Sequence, residues 1–121
     1  MAAWERPGRI AGYATCGPCR LGRLPFAGQL FEIYLATDYQ GLGLGRRLTV
    51  AAARHFLGQG VGSMCVEVLQ GNSNRFFYEA LGARLAARGT HAYAGIDLPT
   101  FIYGWSDLSR LATWRRTAEK G

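Results

Sequence analysis

The clearest pattern in the chain is an alternation of side chains that is followed by a helical repeat. Residues Gln29 to Leu35 are rich in β-formers and alternate, which predicts a strand with two distinct faces. One face would carry Gln29, Phe31, Ile33 and Leu35, and the other would carry Leu30, Glu32 and Tyr34. Apolar residues then recur at helical spacing from Leu44 to Phe56. This order predicts a strand, a glycine-containing loop and an amphipathic helix that ends near Gly58 to Gly60.

Further elements are predicted from apolar runs bounded by glycine, proline or asparagine. Before the first strand, Ile10 to Thr15 and Arg20 to Leu24 form a predicted hairpin that turns at Gly17-Pro18. After the long helix come a strand within Val61 to Leu69 and a short helix that begins at Asn72, Ser73 or Asn74 and stops at Gly82. Two strands, Ala83 to Thr90 and Thr100 to Trp105, follow with a loop that contains Gly95 and Pro99 between them, and a C-terminal helix spans Ser106 to Ala118. No repeat or linker interrupts them. All 121 residues are therefore predicted to form one α/β domain with a core at 9–106.

Composition and charge narrow the classes of protein. Apolar residues make up 49% and charged residues 18%, which is typical of a globular protein and excludes the disordered and collagen-like classes. Fourteen Lys and Arg face eight acidic residues, and this net charge of +6 suits a polyanionic ligand. The arginines are scattered, with only Arg46-Arg47 and Arg115-Arg116 adjacent, so the sequence disfavours a nucleic-acid surface.

The cysteines and the lack of long apolar runs indicate a compartment. Three cysteines, no signal peptide and no apolar run of about 18 residues favour a reduced, cytoplasmic setting without a membrane. Cys16-Gly17-Pro18-Cys19 has the spacing of a redox motif or half a zinc site. A zinc site needs two more ligands, and His55 and His91 are isolated. We therefore interpret Gly17-Pro18 as a turn and expect no metal.

The loop between the strand and the long helix has the chemistry of an anion site. Glycines at 41, 43 and 45 let backbone N–H groups approach a phosphate, and the helix adds the positive end of its dipole. The alternative is that the glycines only permit a tight connection. Arg46 and Arg47 favour anion binding, but the loop matches neither the P-loop nor the dinucleotide pattern.

The loop instead resembles the acetyl-coenzyme A motif of the Gcn5-related N-acetyltransferase (GNAT) family, Gln/Arg-x-x-Gly-x-Gly/Ala. It appears here as Gln40-x-x-Gly43-x-Gly45, followed in the family order by Asn72 and by Phe77-Tyr78-Glu79-Ala80-Leu81-Gly82-Ala83. The resemblance implies the three-layer acyl-CoA N-acyltransferase fold. This is a mixed, mostly antiparallel sheet with a V-shaped splay and flanking helices, here without the family's usual first strand and first helices.

The resemblance also implies acetyl-CoA as co-substrate and assigns residues to it. The pantetheine arm would pair with the backbone of Ile33, Tyr34 and Leu35. The pyrophosphate would be held at Gln40, Gly41, Leu42, Gly43, Leu44, Gly45 and Arg46. Asn72 matches a position that contacts the cofactor arm, although a helix cap explains an asparagine there equally well.

Candidate acid and base residues follow from the same resemblance. Tyr78 occupies the position of the acid that protonates the leaving thiolate, at a cost of roughly 2 kcal/mol for ordinary tyrosine and thiol pKa values; the alternative is an aromatic that only packs. The base position on the first strand holds Gln29, which cannot accept a proton. Glu67, five residues before Asn72, matches the base of ribosomal-protein-type N-terminal acetyltransferases. Glu32 is its rival, and both a structural Glu67 paired with an arginine and a water relayed by Gln29 stay open.

These features together predict an N-acetyltransferase that acts on a primary amine of a small molecule or peptide. Three alternatives are a non-catalytic acyl-CoA-binding module, a truncated member of the family that needs a partner chain, and a basic protein associated with nucleic acid or ribosomes. Because few residues precede Ile10, we expect a homodimer in which a second copy completes the acceptor side.

Overall fold

The computed structural model describes residues 2–6, 9–35 and 44–113, and these ranges form one mixed sheet with helices. The elements are β1 (Ala2–Arg6), β2 (Arg9–Pro18), β3 (Gly28–Leu35), α1 (Leu44–Gly58), β4 (Met64–Leu69), α2 (Asn74–Ala80), β5 (Arg84–Tyr93), β6 (Ile96–Trp105) and α3 (Ser109–Ala112). The six strands follow the order β1-β2-β3-β4-β6-β5. Only β3 and β4 are parallel among these described neighbours, which confirms the predicted mixed, mostly antiparallel sheet.

Helix α1 buries the stripe that its periodicity predicted, and a wider face besides. Leu48, Ala52 and Phe56 are all buried, as expected for one face of an amphipathic helix. Val50 and Ala53 are buried as well, and α1 contacts α3 in addition to the strands β1, β2 and β3. The Arg54 Nε donates a hydrogen bond of 2.7 Å to the carbonyl of Ala112, which fastens α3 to the long helix.

Helices α1 and α2 cover the same face of the sheet. Val66 lies beside Leu30 on one side and beside Tyr103 on the other, so these three side chains share a face. Gly28 lies two residues before Leu30 on the same face, and a Cβ at Gly28 would lie 2.8 Å from the Phe56 ring of α1. The Tyr103 hydroxyl in turn hydrogen-bonds α2, as described below. The other face, which carries Cys65 and Glu67, holds the candidate site described below.

The predicted N-terminal hairpin is wrong. Residues 9–18 form a single strand that pairs with β1 on one side and with β3 on the other, while 20–24 belong to the connection between β2 and β3. Gly17 and Pro18 are the last residues of β2 and lie opposite Gln29 and Gly28. The chain reverses after them, where the Cys19 N–H bonds the Ala27 carbonyl at 2.9 Å. A proline is compatible with the end of a strand, so the Gly-Pro pair did not mark a turn.

The C-terminal hairpin is longer than predicted. Strands β5 and β6 continue to Tyr93 and from Ile96, and a two-residue turn with positive φ at Ala94 (53°) and Gly95 (82°) joins them. Pro99, predicted in a loop, lies within β6 opposite Thr90. Helix α3 spans only Ser109–Ala112, and the rest of the predicted C-terminal helix beyond 113 lies outside the described residues.

Candidate active site

The sheet opens between its two parallel strands. Their pairing runs from Gly28 opposite Met64 to Leu30 opposite Val66 and stops there, although β3 continues to Leu35 and β4 to Leu69. The register between β2 and β3 shifts at the same point and leaves Phe31 as an extra residue in β3. Such a bulge bends its strand and increases its twist. We conclude that the bulge at Phe31 turns β3 away from β4 and produces the V-shaped splay that was predicted.

The bulge also corrects the predicted faces of β3. Ile33 packs against the core together with Leu30, although simple alternation placed them on opposite faces. Beyond the bulge, Ile33 lies opposite the fully buried Ala14 of β2. An extra residue shifts the side-chain alternation by one position, which a period-2 pattern cannot anticipate.

The end of β3 presents one paired and one open edge. The backbone of Ile33, Tyr34 and Leu35 pairs with β2, whereas the described ladder to β4 has ended at Leu30. An extended ligand can therefore add to this edge in the manner of a strand. The side chain of Leu35 lies outside the described residues.

The first turn of α1 lies at the same end of the sheet, because α1 follows β3 after the intervening loop. Gly45 and Arg46 are in this turn, which contains no acidic residue. The positive end of the helix dipole and the basic side chains make this end suitable for an anion. The predicted loop residues Gln40, Gly41, Leu42 and Gly43, and the side chain of Leu44, lie outside the described residues.

A cavity of about 460 Å³ occupies the face of the sheet opposite α1, next to the splay. Its lining includes Gln29 and Phe31 from β3, Glu67 from β4, His91 from β5, Thr100 from β6, and Arg20 from the loop before β3. Four strands and one loop thus contribute polar or aromatic side chains to one concave surface. A cavity of this size can hold a small amine or the end of a peptide.

The Glu67 carboxylate is held in place by a hydrogen bond to one of its two oxygens. Its Oε2 accepts a 2.8 Å hydrogen bond from the hydroxyl of buried Thr100. Its Oε1 lies 3.8 Å from Nδ1 of His91. Gly89 makes room for this arrangement, since a Cβ there would lie 3.3 Å from Thr100 Oγ1 and 3.7 Å from Glu67 Oε2. The described partners of Glu67 are therefore a threonine and a histidine, rather than the arginine of the structural alternative.

The other two base candidates have different surroundings. Gln29 is buried, and its Oε1 accepts a 2.9 Å hydrogen bond from the Arg20 N–H, so its amide oxygen holds the loop before β3 against the sheet. Glu32 is exposed and is not part of the cavity lining. Its negative charge raises the pKa of the neighbouring Tyr13. Of the three residues, Glu67 alone combines a carboxylate with a place in the cavity.

Tyr78 is buried in the layer between α2 and the sheet. Its side chain is 6% exposed and meets the rings of Phe77 and Trp105 edge to face, with centroids 5.2 and 6.0 Å away. Burial raises the pKa of Tyr78 to about 12. Transfer of its proton to a thiolate with a pKa near 8.5 would therefore cost about 5 kcal/mol, more than the unperturbed values suggested.

Two hydrogen bonds from β6 set the position of α2, and with it the position of Tyr78. The Tyr103 hydroxyl donates to the Glu79 carboxylate at 2.5 Å, and the Trp105 Nε1 donates to the Leu81 carbonyl at 3.0 Å. At the start of the helix, the Oδ1 of Asn72 accepts a 2.8 Å hydrogen bond from the Asn74 N–H. Asn72 thus contacts the first residue of α2, while the N-cap residue of this helix is Ser73, without a side-chain cap bond.

The contact between two cysteine thiols is not the one that the C-x-x-C motif would suggest. The Sγ of Cys19 lies 3.7 Å from the Sγ of Cys65, while Cys16 packs against the core on the other face of the sheet. Burial raises the pKa of the Cys65 thiol to about 12, and the Cys19 thiol adds to this shift. All three are free thiols. Within the described ranges, no three His, Cys, Asp or Glu side chains come together as a metal site.

Sequence reasoning missed Thr100, His91 and Arg20 as members of the site. None belongs to a recognisable motif, and Thr100 lies 33 residues from the carboxylate that it binds. The pairing of β4 with β6 and of β6 with β5 brings Thr100 and His91 to Glu67, and the hydrogen bond from the Arg20 backbone N–H to Gln29 holds Arg20 at the same cavity. The one local signal was Gly89, because a glycine within a strand often marks the close approach of another group.

An open mixed sheet, a helix start suited to phosphate and a carboxylate in a cavity at the splay define an acyl-CoA N-acyltransferase fold. A model of the acetyltransferase (GNAT) family matches residues 1–83, and the chain belongs to this family. It is 35% identical over 113 residues to YuaI of Bacillus subtilis (strain 168), which is named an uncharacterized N-acetyltransferase. That match covers 93% of this chain and 65% of YuaI.

Solved structures agree with the fold. A crystal structure of a GNAT-family protein from Desulfovibrio desulfuricans superposes with a TM-score of 0.71 at 25% identity, over 87% of this chain and 65% of that one. The yncA protein of Salmonella typhimurium, solved with acetyl-CoA, gives a TM-score of 0.67 at 22% identity, over 87% of this chain and 62% of that one. The chain thus spans somewhat less than two thirds of the length of these relatives. None of the helices in the described ranges is both long and apolar enough to cross a membrane.

Proposed function

We propose that the protein is an N-acetyltransferase that moves an acetyl group from acetyl-CoA to a primary amine by direct attack. The observation that carries this proposal is the Glu67 carboxylate in a cavity beside the opening between β3 and β4. Family membership supports the reaction class. The name of the Bacillus relative and the acetyl-CoA bound by the Salmonella protein support the amine acceptor and the donor.

In this proposal, acetyl-CoA lies along the open edge of β3 and ends at the cavity. The pantetheine arm pairs with the backbone of Ile33 to Leu35, and Asn72 lies beside the arm. The pyrophosphate is held by the main chain of residues 41–45, with Gln40 and Arg46 alongside. The first turn of α1 supplies the positive end of the helix dipole to this diphosphate.

The acceptor enters the cavity from the opposite face of the sheet. Glu67 removes a proton from the ammonium group, and the neutral amine attacks the thioester carbonyl. A carbon–nitrogen bond forms, the carbon–sulfur bond breaks, and coenzyme A leaves as a thiolate that takes up the remaining extra proton of the nitrogen. Because the raised pKa of Tyr78 makes complete proton transfer costly, Tyr78 stabilises this thiolate mainly as a hydrogen-bond donor. Glu32 is the alternative base.

Replacement of Gly45 by valine is expected to weaken coenzyme A binding at least tenfold. The new side chain would stand in the first turn of α1, where the diphosphate has to approach the main chain. Isothermal titration calorimetry with coenzyme A measures the change. Gly58→Val at the far end of the same helix is the matched control, because nothing lies within 4 Å of the Cβ position at Gly58.

Two results would contradict the proposal. Folded wild-type protein that takes up no coenzyme A would refute the cofactor site, and unchanged affinity in Gly45→Val would refute its placement. A thiol-release assay with acetyl-CoA and a panel of primary amines then separates an enzyme from a non-catalytic acyl-CoA-binding module. The module would bind coenzyme A and release no thiol with any amine.

We also propose that the protein forms a homodimer through strand β5. This strand is an edge of the described sheet, and exposed edges favour pairing with another chain. Leu85, Tyr93 and Ile96 on the same hairpin are 46%, 68% and 62% exposed. Light scattering at micromolar concentration is expected to give twice the 13.2 kDa mass of one chain. The double variant Tyr93→Ser with Ile96→Ser is expected to shift this mass towards one chain, and a monomeric wild type would contradict the proposal.

A further inference from the structure

We infer that His91 carries to solvent the proton that Glu67 removes from the acceptor amine. The inference rests on the proposed acetyl transfer. His91 acts on the substrate only through Glu67, so it is a positioning and relay residue. Strand β5 of the β5–β6 hairpin positions the imidazole of His91 at the cavity.

The geometry around Glu67 points one carboxylate oxygen towards His91. Thr100 donates to Oε2 at 2.8 Å, which fixes the rotation of the carboxylate. Oε1 is then the oxygen nearer to the imidazole, with 3.8 Å between it and Nδ1. This distance is longer than a hydrogen bond and is closed by a small side-chain rotation or by one bridging water.

The strand register explains why this imidazole reaches Glu67. Gly89 lies opposite Thr100 in the β5–β6 ladder, and His91 lies opposite Leu98, two residues further along the same face. Because Gly89 has no side chain, the space between His91 and Glu67 stays open. A larger residue at 89 would come up against both Thr100 and the carboxylate.

The side chains of Glu67 and His91 differ in their exposure to solvent. The Glu67 side chain is 19% exposed and the His91 side chain 60% exposed, so the pair leads from the cavity to bulk water. A bound cofactor and acceptor would fill the cavity and cut Glu67 off from direct contact with that water. A base enclosed in this way must lose its proton before the next turnover, and imidazole takes up and releases protons at neutral pH.

The proton path conserves atoms and charge. The ammonium group of the acceptor gives a proton to Glu67 Oε1, the protonated carboxyl gives it to Nδ1 of His91, and the imidazolium releases a proton from Nε2 to water. Proton exchange with water then returns the imidazole to the Nε2–H tautomer before the next turnover. Among the described residues that line the cavity, the other charged group is Arg20 from the loop before β3, and the Cys65 thiol of β4, in contact with the Cys19 thiol, lies on the same face of the sheet. The contribution of β6 here is the uncharged hydroxyl of Thr100.

The test compares His91→Ala with wild type and with His55→Gln, in which an exposed histidine on α1 is changed. Thiol release is followed from about pH 6 to 10, with and without free imidazole. We expect His91→Ala to lower kcat about tenfold while KM for acetyl-CoA is unchanged. Free imidazole should restore most of the loss in His91→Ala, with a dependence on the concentration of its neutral form, and should leave the bulkier His91→Gln unrestored.

Two outcomes overturn the inference while the proposed function stands. One is an active wild type together with a His91→Ala variant whose kcat is within twofold of it. The other is a loss of activity that imidazole does not restore at any pH, which would show that His91 only anchors Glu67. A wild type and a His55→Gln variant that both release no thiol with any amine would overturn the proposed function itself, and the relay with it.

Discussion

Replacement of Glu67 by glutamine is expected to lower kcat by about 10²- to 10³-fold, because an amide cannot accept the proton of the attacking amine. Glutamine has nearly the same shape, and its carbonyl oxygen can still accept the hydrogen bond of Thr100 that fixes the side chain. Coenzyme A affinity and the free energy of unfolding should therefore change little. Thiol release at saturating acetyl-CoA, together with a coenzyme A titration, measures these effects separately.

Glu32→Gln discriminates between the two carboxylate candidates. Glu32 lies on the strand proposed to pair with pantetheine, but it is exposed and outside the cavity lining, so its change should alter kcat by less than twofold. The opposite result, a large loss in Glu32→Gln and none in Glu67→Gln, would make Glu32 the base. If neither variant loses activity, neither carboxylate acts as the base, and a water molecule becomes the acceptor of the proton.

The elements that the sequence predicted well are those whose pattern has one physical solution. The stripe of α1 and the apolar run of β4 each need a buried surface, and local spacing identifies Leu48, Ala52 and Phe56 on the stripe, although not Val50 and Ala53 beside it. Gly82 has φ +93° directly after α2, so the predicted helix stop has a conformational cause. These features depend on neighbours along the chain rather than on distant partners.

The elements that were predicted wrongly depend on partners far away in the sequence. Gly17-Pro18 looks like a turn locally, yet its backbone pairs with Gly28 and Gln29 of β3. The bulge at Phe31 lets β3 stay paired with β2 while it turns away from β4, and no residue type in β3 marks its position. The C-x-x-C spacing likewise gives no guide to the thiol contact, since Cys19 meets Cys65, 46 residues away, instead of Cys16.

The residues of the candidate site also differ in whether they depend on local sequence or on distant strand pairing. Glu67, Asn72 and Tyr78 could be named in advance because they belong to segments that resemble a known family in order and spacing. Thr100 and His91 could not, since their role depends on the register of three strands. The sequence thus identified the proposed base, but not the threonine that fixes it or the histidine beside it.

Replacement of Tyr78 by phenylalanine is expected to lower thiol release about 100-fold, because the departing sulfur loses its hydrogen-bond donor.

The same change should alter how stability depends on pH. Burial raises the Tyr78 pKa to about 12, whereas in the unfolded chain it would be near 10. Between these two values the folded protein keeps a proton that the unfolded chain releases.

The sign of the pH effect follows from this difference. The contribution of Tyr78 to stability is complete below about pH 10 and is lost as the pH rises towards 12, by about 3 kcal/mol in all. Urea unfolding at about pH 9 and about pH 11.5 should therefore show a smaller loss of unfolding free energy in Tyr78→Phe than in wild type. Tyr34→Phe, at a tyrosine that is 50% exposed, is the control and should follow wild type.

The two measurements on Tyr78→Phe separate burial from catalysis. If the pH dependence of stability changes but thiol release does not, Tyr78 is only a packing residue and another group must stabilise the thiolate. If thiol release falls while the pH dependence of stability stays that of wild type, the hydroxyl is not held in an apolar environment, and its proton would be available to sulfur at much lower cost. Loss of both is expected of a tyrosine whose ring packs in the core and whose hydroxyl serves the leaving thiolate.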